Sequence, residues 1–236
     1  MVNGHLSPLL FGFFINDLLE KLSDSGVGCS GYADDVKLFL AIKSTMDCTK
    51  LHDSLLMVHK WCEDNGMMLN PSKCNVISFS RKRSPLTATY SIHGTAIGRV
   101  SVIKDLGVFL NTKLNFHHQV DRVTAKARSV LGMVKRFSRG FDDKRVSLTL
   151  YRSLVRSLLE YTTQVWAPFR STQIARVESV QKQFLLWFLQ DRFPRHQYPL
   201  PPYAFRLALT ELDSIEHRHR LAIATFAFDI TKGLIN

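Results

Sequence analysis

Two adjacent carboxylates, Asp34 and Asp35, close the tetrapeptide Tyr32-Ala33-Asp34-Asp35 between two apolar runs, residues 27–33 and 36–42. Such runs on either side of a two-residue acidic turn predict a β-hairpin with both aspartates at its tip. The apolar composition predicts that both flanks are buried, which would hold two like charges beside a core at considerable cost. A divalent cation relieves that arrangement. Mg²⁺ is commonly held by one or two protein carboxylates, with waters and substrate phosphates completing its octahedron. The competing reading is an ordinary solvated turn, since Asp is a common turn former.

The rest of the chain must position that turn. Its 236 residues, 45% of them hydrophobic, suffice for one large domain or two small ones with a real core. The net charge of +11 is concentrated in residues 81–145, where fourteen basic residues face four acidic ones. Such a stretch points to a polyanionic partner, nucleic acid before an acidic membrane surface. The four cysteines, Cys29, Cys48, Cys62 and Cys74, form no C-x-x-C pair and read as buried reduced thiols in predicted strands and a helix. His117-His118 and the pair His217/His219 lack the cysteines of a zinc site and read as solvated surface residues. The apolar run of residues 6–15 lacks a basic leader and is cut short by Asn16-Asp17. It reads as a buried helix with Ser7 as N-cap and Pro8 in the first turn. With neither signal peptide nor transmembrane segment in view, the expected location is intracellular, nucleus or cytoplasm, without a membrane partner.

Ser44-Thr-Met-Asp47 opens a helix as a capping box with Asp in place of Glu. Leu51, Leu55, Val58 and Cys62 form its stripe, and Asn65-Gly66 ends it. Strands are predicted at 75–80, at 87–92 ahead of a His93-Gly94 turn, and at 101–110 with a bulge at Gly107. From residue 115 the period lengthens to about 3.6: Phe116, Val120, Val123, Ala127, Val130 and Val134 form one stripe of a long helix. Arg122, Lys126, Arg128, Lys135, Arg136 and Arg139 line its other face, a surface able to follow a phosphate backbone or simply to be solvated. Further helices are predicted at about 143–161, 172–189 and 213–232, with a Pro-rich loop from Pro194 to Pro202. The chain therefore reads as α+β, a strand-rich part (1–112) followed by an all-helical part (113–236). Absence of a Walker loop, a nucleophile elbow and internal repeats removes P-loop ATPases, serine hydrolases and solenoids.

In order and spacing these elements resemble the reverse transcriptase of non-LTR retrotransposons, especially the jockey-like LINE group. Asn3-Gly-His-Leu-Ser-Pro-Leu-Leu-Phe11 with Phe14-Ile-Asn-Asp-Leu18 is similar to the end of the family's motif B, and Tyr32-Ala33-Asp34-Asp35 to motif C. Residues 61–74, beginning Trp61-Cys-Glu-Asp-Asn-Gly66, resemble motif D, and Lys104-Asp-Leu-Gly-Val108 resembles motif E. Leu154-Val-Arg-Ser-Leu-Leu-Glu-Tyr161 and Val165-Trp-Ala-Pro168 resemble the thumb and post-thumb region. The resemblance implies a partial polymerase palm, an antiparallel sheet with packed helices, followed by a helical thumb.

It also implies RNA-directed DNA synthesis on an RNA template and a DNA primer from deoxynucleoside triphosphates, by phosphoryl transfer with two Mg²⁺ ions. Asp34 would be a principal metal ligand, Asp35 a supporting one, and Lys73 would neutralise or protonate pyrophosphate. Gly4, Leu6, Pro8 and Tyr32 would face template and substrate, while Leu106, Gly107 and Val108 would form the primer grip. Arg122, Lys126, Arg128, Lys135, Arg136 and Arg139 would follow the nucleic-acid backbone. Two departures bear on activity. Asn3 stands where the family has Gln, and no residue upstream of Asp34 corresponds to the motif A aspartate. The expectation is a polymerase fragment inactive by itself, with its missing N-terminal half as a partner if encoded elsewhere and with exposed Leu and Phe where the fingers would pack. The alternative is a non-catalytic nucleic-acid-binding remnant that uses the basic helix.

Overall fold

Helix α1 (Ser7–Asp24) turns one stripe, Ile15, Leu18 and Leu22, into a core and leaves Leu9, Leu10 and Phe13 exposed. The expected buried helix is corrected here: α1 is amphipathic and buries only one stripe, leaving exposed Leu and Phe on its other face. The computed structural model describes residues 7–141, 143–193 and 199–235. The expected Ser7 cap rests on a side chain outside that description. The chain forms two compact units, residues 1–103 and 104–236.

In the first unit, β1 (Gly28–Tyr32) and β2 (Asp35–Phe39) pair antiparallel, with Tyr32 opposite Asp35. Helix α2 (Thr45–Asp64) starts at the expected capping box: Ser44 Oγ accepts from the Asp47 amide, and the Asp47 carboxylate accepts from the Ser44 amide. Its Val58, Trp61 and Cys62 join the α1 core, while Leu51 and Leu55 pack under Tyr90, Ile92 and Ile97. Asn65 caps it, and Gly66 leaves in the left-handed conformation that glycine adopts without strain.

The strands are shorter than the alternation predicts. β3 (Asn75–Val76) runs parallel to β6 (Gly98–Arg99), and β4 (Ser91–Ile92) pairs with β5 (Thr95–Ala96) around His93-Gly94. Beyond Val76 the ladder gives way to a side chain: the Arg99 guanidinium donates to Ser78 Oγ (2.6 Å) and to the Ala88 carbonyl (2.7 Å). The expected antiparallel sheet is therefore, among the described residues, a set of two-stranded ladders, one of them parallel.

β7 (Val102–Asp105) and β8 (Val108–Asn111) form a hairpin around Leu106-Gly107. The expected single strand with a bulge is corrected here. Both turn residues take positive φ, 42° and 88°, as a tight primed hairpin turn requires. The division into units precedes the change of sequence period at 113 because β8 belongs to the helical core. Val108 is buried with Val120, Leu131 and Val155, and Gln119 Oε1 accepts from the Phe109 amide.

Helix α3 (His117–Phe137) buries Val120, Thr124, Ala127, Leu131 and Val134, with Phe116, Val123 and Val130 at the edges. A short 3₁₀ turn, Ser138–Gly140, leads towards α4 (Lys144–Leu150), which continues without a break through a π-helical stretch, Tyr151–Arg156, into α5 (Ser157–Glu160). α6 (Thr163–Trp166), α7 (Ser171–Phe188), α8 (Tyr203–Thr210) and α9 (Ile215–Thr231) complete the unit. The long helices match expectation, whereas α6 and α8 were not legible beside Tyr161-Thr162 and the prolines. Tyr151 stacks on Phe184 with ring centroids 3.9 Å apart and is fully buried.

Two histidine and cysteine expectations change. His219 is buried, its ring edge-on to Trp166 and Nε2 2.8 Å from the Leu159 carbonyl oxygen. Burial holds its pKa below the ordinary imidazole value. It is therefore no surface residue: it lies one turn after Ile215 on the one face of α9 that is buried. All four cysteines are free, but only Cys62 is fully buried, and burial raises the thiol pKa of Cys62 and Cys74.

Candidate functional site

The acidic hairpin forms as predicted, but its turn is Ala33-Asp34, with Asp35 already paired as the first residue of β2. Ala33 carries the strained left-handed φ of 51° that lets a two-residue connection follow the twist of the strands. The expectation that both flanks are buried is corrected. Strand side chains alternate, so Cys29, Val36 and Leu38 pack on the α1–α2 core while Tyr32 and Phe39 lie 64% and 59% exposed. Asp34 and Asp35 are exposed as well. Gly28 faces Phe39 across the ladder, where a Cβ would lie 2.2 Å from the ring; glycine is what allows the ring to lie there.

An exposed pair of carboxylates on a core-anchored hairpin supplies oxygen donors only, the donor set that suits a hard divalent cation retaining several waters. Among the described residues no third His, Cys, Asp or Glu completes a cluster with them. Lys73 is exposed in the turn before β3, its amide donating to the Asn70 carbonyl. Gly4 and Leu6 lie outside the described residues, as does the side chain of Pro8.

Within the first unit, one link went unforeseen: the Trp61 indole N–H donates to the Asp17 carboxylate at 2.9 Å. That bond, with Lys21 close by, keeps the carboxyl of Asp17 below the usual range. The motif B-like and motif D-like segments are thus joined by residues that belong to each, a pairing that spacing along the chain cannot reveal.

In the second unit the Leu106-Gly107 turn is held by Tyr161, whose hydroxyl donates to the Leu106 carbonyl at 3.0 Å. A Cβ on Gly107 would lie 3.2 Å from the Tyr161 ring. Val108 is buried rather than open to a ligand, while Leu106 is 43% exposed. The motif E-like turn therefore leans on the last residue of the thumb-like motif.

The basic residues of α3 do not share one face. At about 100° per residue, Arg122, Lys126 and Arg136 fall within one solvent-facing stripe and Arg128 and Lys135 on another. Arg128 donates to Ser179 Oγ at 2.8 Å, and Lys135 lies near the Gln183 carbonyl and over the Trp187 ring. Burial lowers the pKa of Lys135. These two cations knit α3 to α7. Arg128 stays exposed despite its bond to Ser179, as do Arg122, over the Phe109 ring, Lys126, Arg136 and Arg139.

A second polar centre lies under α9 and left no trace in the sequence. Glu178 is buried and accepts from the Ile215 amide (3.2 Å), the Glu216 amide (3.0 Å) and the Tyr203 hydroxyl. Burial and then Glu178 push the Tyr203 hydroxyl well above its ordinary pKa. Gln181 joins this network, accepting from Tyr151 and donating to the Asp213 carbonyl.

The arrangement is that of an α+β chain with an acidic hairpin turn and a long basic helix, and comparison with known proteins places it. The chain matches the family described as reverse transcriptase (RNA-dependent DNA polymerase) over residues 4–133. That is more than half of its length, and the chain belongs to this family. Its relatives place it in the non-LTR retrotransposon branch. It is 21% identical over 216 residues to the RNA-directed DNA polymerase from mobile element jockey of Drosophila melanogaster, covering 86% of this chain and 24% of that protein. It is 25% identical over 167 residues to the retrovirus-related Pol polyprotein from type-1 retrotransposable element R1 of Bradysia coprophila, covering 67% and 16%. A third relative is the probable RNA-directed DNA polymerase from transposon X-element of Drosophila melanogaster, 23% identical over 186 residues, covering 75% and 20%. The chain thus spans a quarter or less of the length of these relatives. No solved structure matches it. No helix among the described residues is long and apolar enough to cross a membrane.

Proposed function

We propose that this chain carries the motif C turn, primer-grip hairpin and thumb of a non-LTR reverse transcriptase, and that its Asp34-Asp35 turn is one side of a two-metal polymerase site. The observation that carries this is an exposed acidic pair on a core-anchored hairpin, inside the segment that matches the family. Asp34 and Asp35 would hold Mg²⁺, which suits oxygen donors with room for waters and phosphates. Metal held by these two carboxylates would supply the positive charge that activates a primer 3′-hydroxyl and neutralises a leaving pyrophosphate. Lys73 would place a positive charge beside the departing pyrophosphate. The Leu106-Gly107 turn, braced by Tyr161, would orient the primer end, and Arg122, Lys126, Arg136 and Arg139 would follow the duplex of RNA template and DNA primer.

With no third carboxylate beside Asp34 and Asp35 among the described residues, the isolated chain holds half of such a site and does not polymerise. Loss of one such ligand costs on the order of a thousandfold or more in rate. Primer extension with an RNA template, Mg²⁺ and deoxynucleoside triphosphates tests this. The expected result is no product; robust product abolished by Asp34→Ala refutes the inactivity.

A second reading, duplex binding without chemistry, draws on Arg122, Lys126, Arg136 and Arg139, four of the exposed cations of α3 and the turn after it. Four phosphate contacts give a slope of log K against log salt of about −3 to −4. Removal of Asp34 and Asp35 leaves that binding unchanged, whereas Arg122→Ala with Lys126→Ala flattens the slope by about 2.

A further inference from the structure

We propose that His59, Glu63 and His93 form a zinc site that clamps the β4–β5 turn onto the last turns of α2, a role separate from the polymerase reading. His59 and Glu63 are four residues apart on α2 and so share one face. His93 arrives from the tip of the β4–β5 turn, and one ligand atom from each of the three lies within 4.8 Å of the others. The His59 and His93 rings meet edge to face with centroids 3.8 Å apart. His59 Nε2 stands 3.5 Å from Glu63 Oε1. Ligand atoms at about 2.0–2.1 Å from a tetrahedral zinc are about 3.3 Å from one another, so two of the three are already at ligand spacing. The His93 ligand atom lies within 4.8 Å of both, so a bound ion would have to draw it in by a side-chain rotation.

The surroundings hold these residues in place. Ile92, next to His93, is fully buried against Leu51 and Leu55 of α2, so the turn is seated on the helix before any metal binds. The His59 side chain is only 14% exposed, which limits its rotamers. His93 takes φ of 50° in a two-residue turn with Gly94, a position where Asn is the ordinary choice. A histidine there gives up turn propensity and gains a ligand. Two imidazoles and one carboxylate suit Zn²⁺ and its transition-metal neighbours, not Mg²⁺, which takes oxygen ligands. The fourth position would be water.

The test uses the full chain, stripped with chelator and titrated with Co²⁺ as a spectroscopic probe, then with Zn²⁺ against a chromophoric chelator. The expected result is one tightly held ion, a tetrahedral cobalt spectrum without thiolate charge-transfer bands, and no displacement by excess Mg²⁺. His93→Asn retains a residue that tolerates the left-handed turn, and Glu63→Gln changes an exposed side chain, so both variants keep the fold. Each should weaken zinc binding at least about 10–100-fold, the loss seen even for residues behind the ligands. Circular dichroism of both variants verifies folding. Absence of zinc uptake, uptake unchanged in both folded variants, or thiolate bands that assign the ion to the cysteines would overturn the site.

Discussion

Replacement of Glu178 offers a quantitative test of what seats α9. Its carboxylate receives two amides from the first turn of that helix, where the helix dipole also favours negative charge, and the Tyr203 hydroxyl. Glu178→Ala leaves three donors without their acceptor, at about 1–3 kcal/mol for each that water cannot reach. Ile215 is 1% exposed and Glu216 and Tyr203 are half-buried, so water rescues some of this loss. A net cost of about 3–6 kcal/mol follows. Glu178→Gln keeps one oxygen and turns an NH₂ group towards a donor, for about 1–3 kcal/mol. Tyr203→Phe removes a donor and leaves the two amide bonds in place, for about 1 kcal/mol. Ser214 still caps the Glu178 variants, its Oγ accepting from the His217 amide, so the helix itself persists. Hydrogen-exchange mass spectrometry of the peptide spanning residues 212–220 reads the effect. Because 1.4 kcal/mol is tenfold, Ala should raise exchange by at least about a hundredfold, Gln by about tenfold or more, and Phe least. Equal protection in wild type and Glu178→Ala would refute the reasoning, as would a larger effect from Tyr203→Phe than from Glu178→Ala.

Two further outcomes follow from the same structure. Gly107→Ala forces a side chain into a φ of 88° and to within 3.2 Å of the Tyr161 ring, so it destabilises by roughly 1–3 kcal/mol; urea unfolding that matches wild type would count against the brace. His219 is held neutral mainly by burial, with the Leu159 carbonyl, Glu160 and Glu178 opposing and Arg218 assisting. Its folded pKa is depressed, so between that value and the unfolded value of about 6.5 the unfolded chain binds more protons. Stability is therefore present above pH 6.5 and falls as pH drops below it, by up to about 1.4 kcal/mol per pH unit for this one proton. Urea midpoints from pH 7.5 to 5 in wild type and His219→Gln measure it; an unchanged slope in the variant would refute the assignment.

Much of this protein can be read from local patterns. The Asp34 turn, the Ser44–Asp47 capping box, the Asn65-Gly66 stop and the apolar stripe of α3 depend on neighbours within a few residues, and turn chemistry and period report them directly. Family membership was likewise legible, since motif order survives where overall identity is near one residue in five. Burial was less so. The flanks of the acidic hairpin are apolar in composition, but a strand presents two faces and only contact with α1 and α2 decides which is covered. His219 looked like a surface histidine until the fold turned it towards Trp166, and only the fold showed that Arg128 and Lys135 of the basic helix also reach Ser179 and the Gln183 carbonyl of α7.

Pairings distant along the chain belonged to tertiary structure alone. Trp61 with Asp17, Tyr161 with Leu106, Glu178 with the start of α9, and His93 with His59 and Glu63 each join residues that no period or spacing connects. For the Asp34-Asp35 turn, the sequence by itself determined an acidic hairpin, because turn formers and strand formers act locally. Only the fold decided that it stands exposed, anchored through one face and without a third carboxylate beside it among the described residues, because those properties depend on which distant surfaces come together.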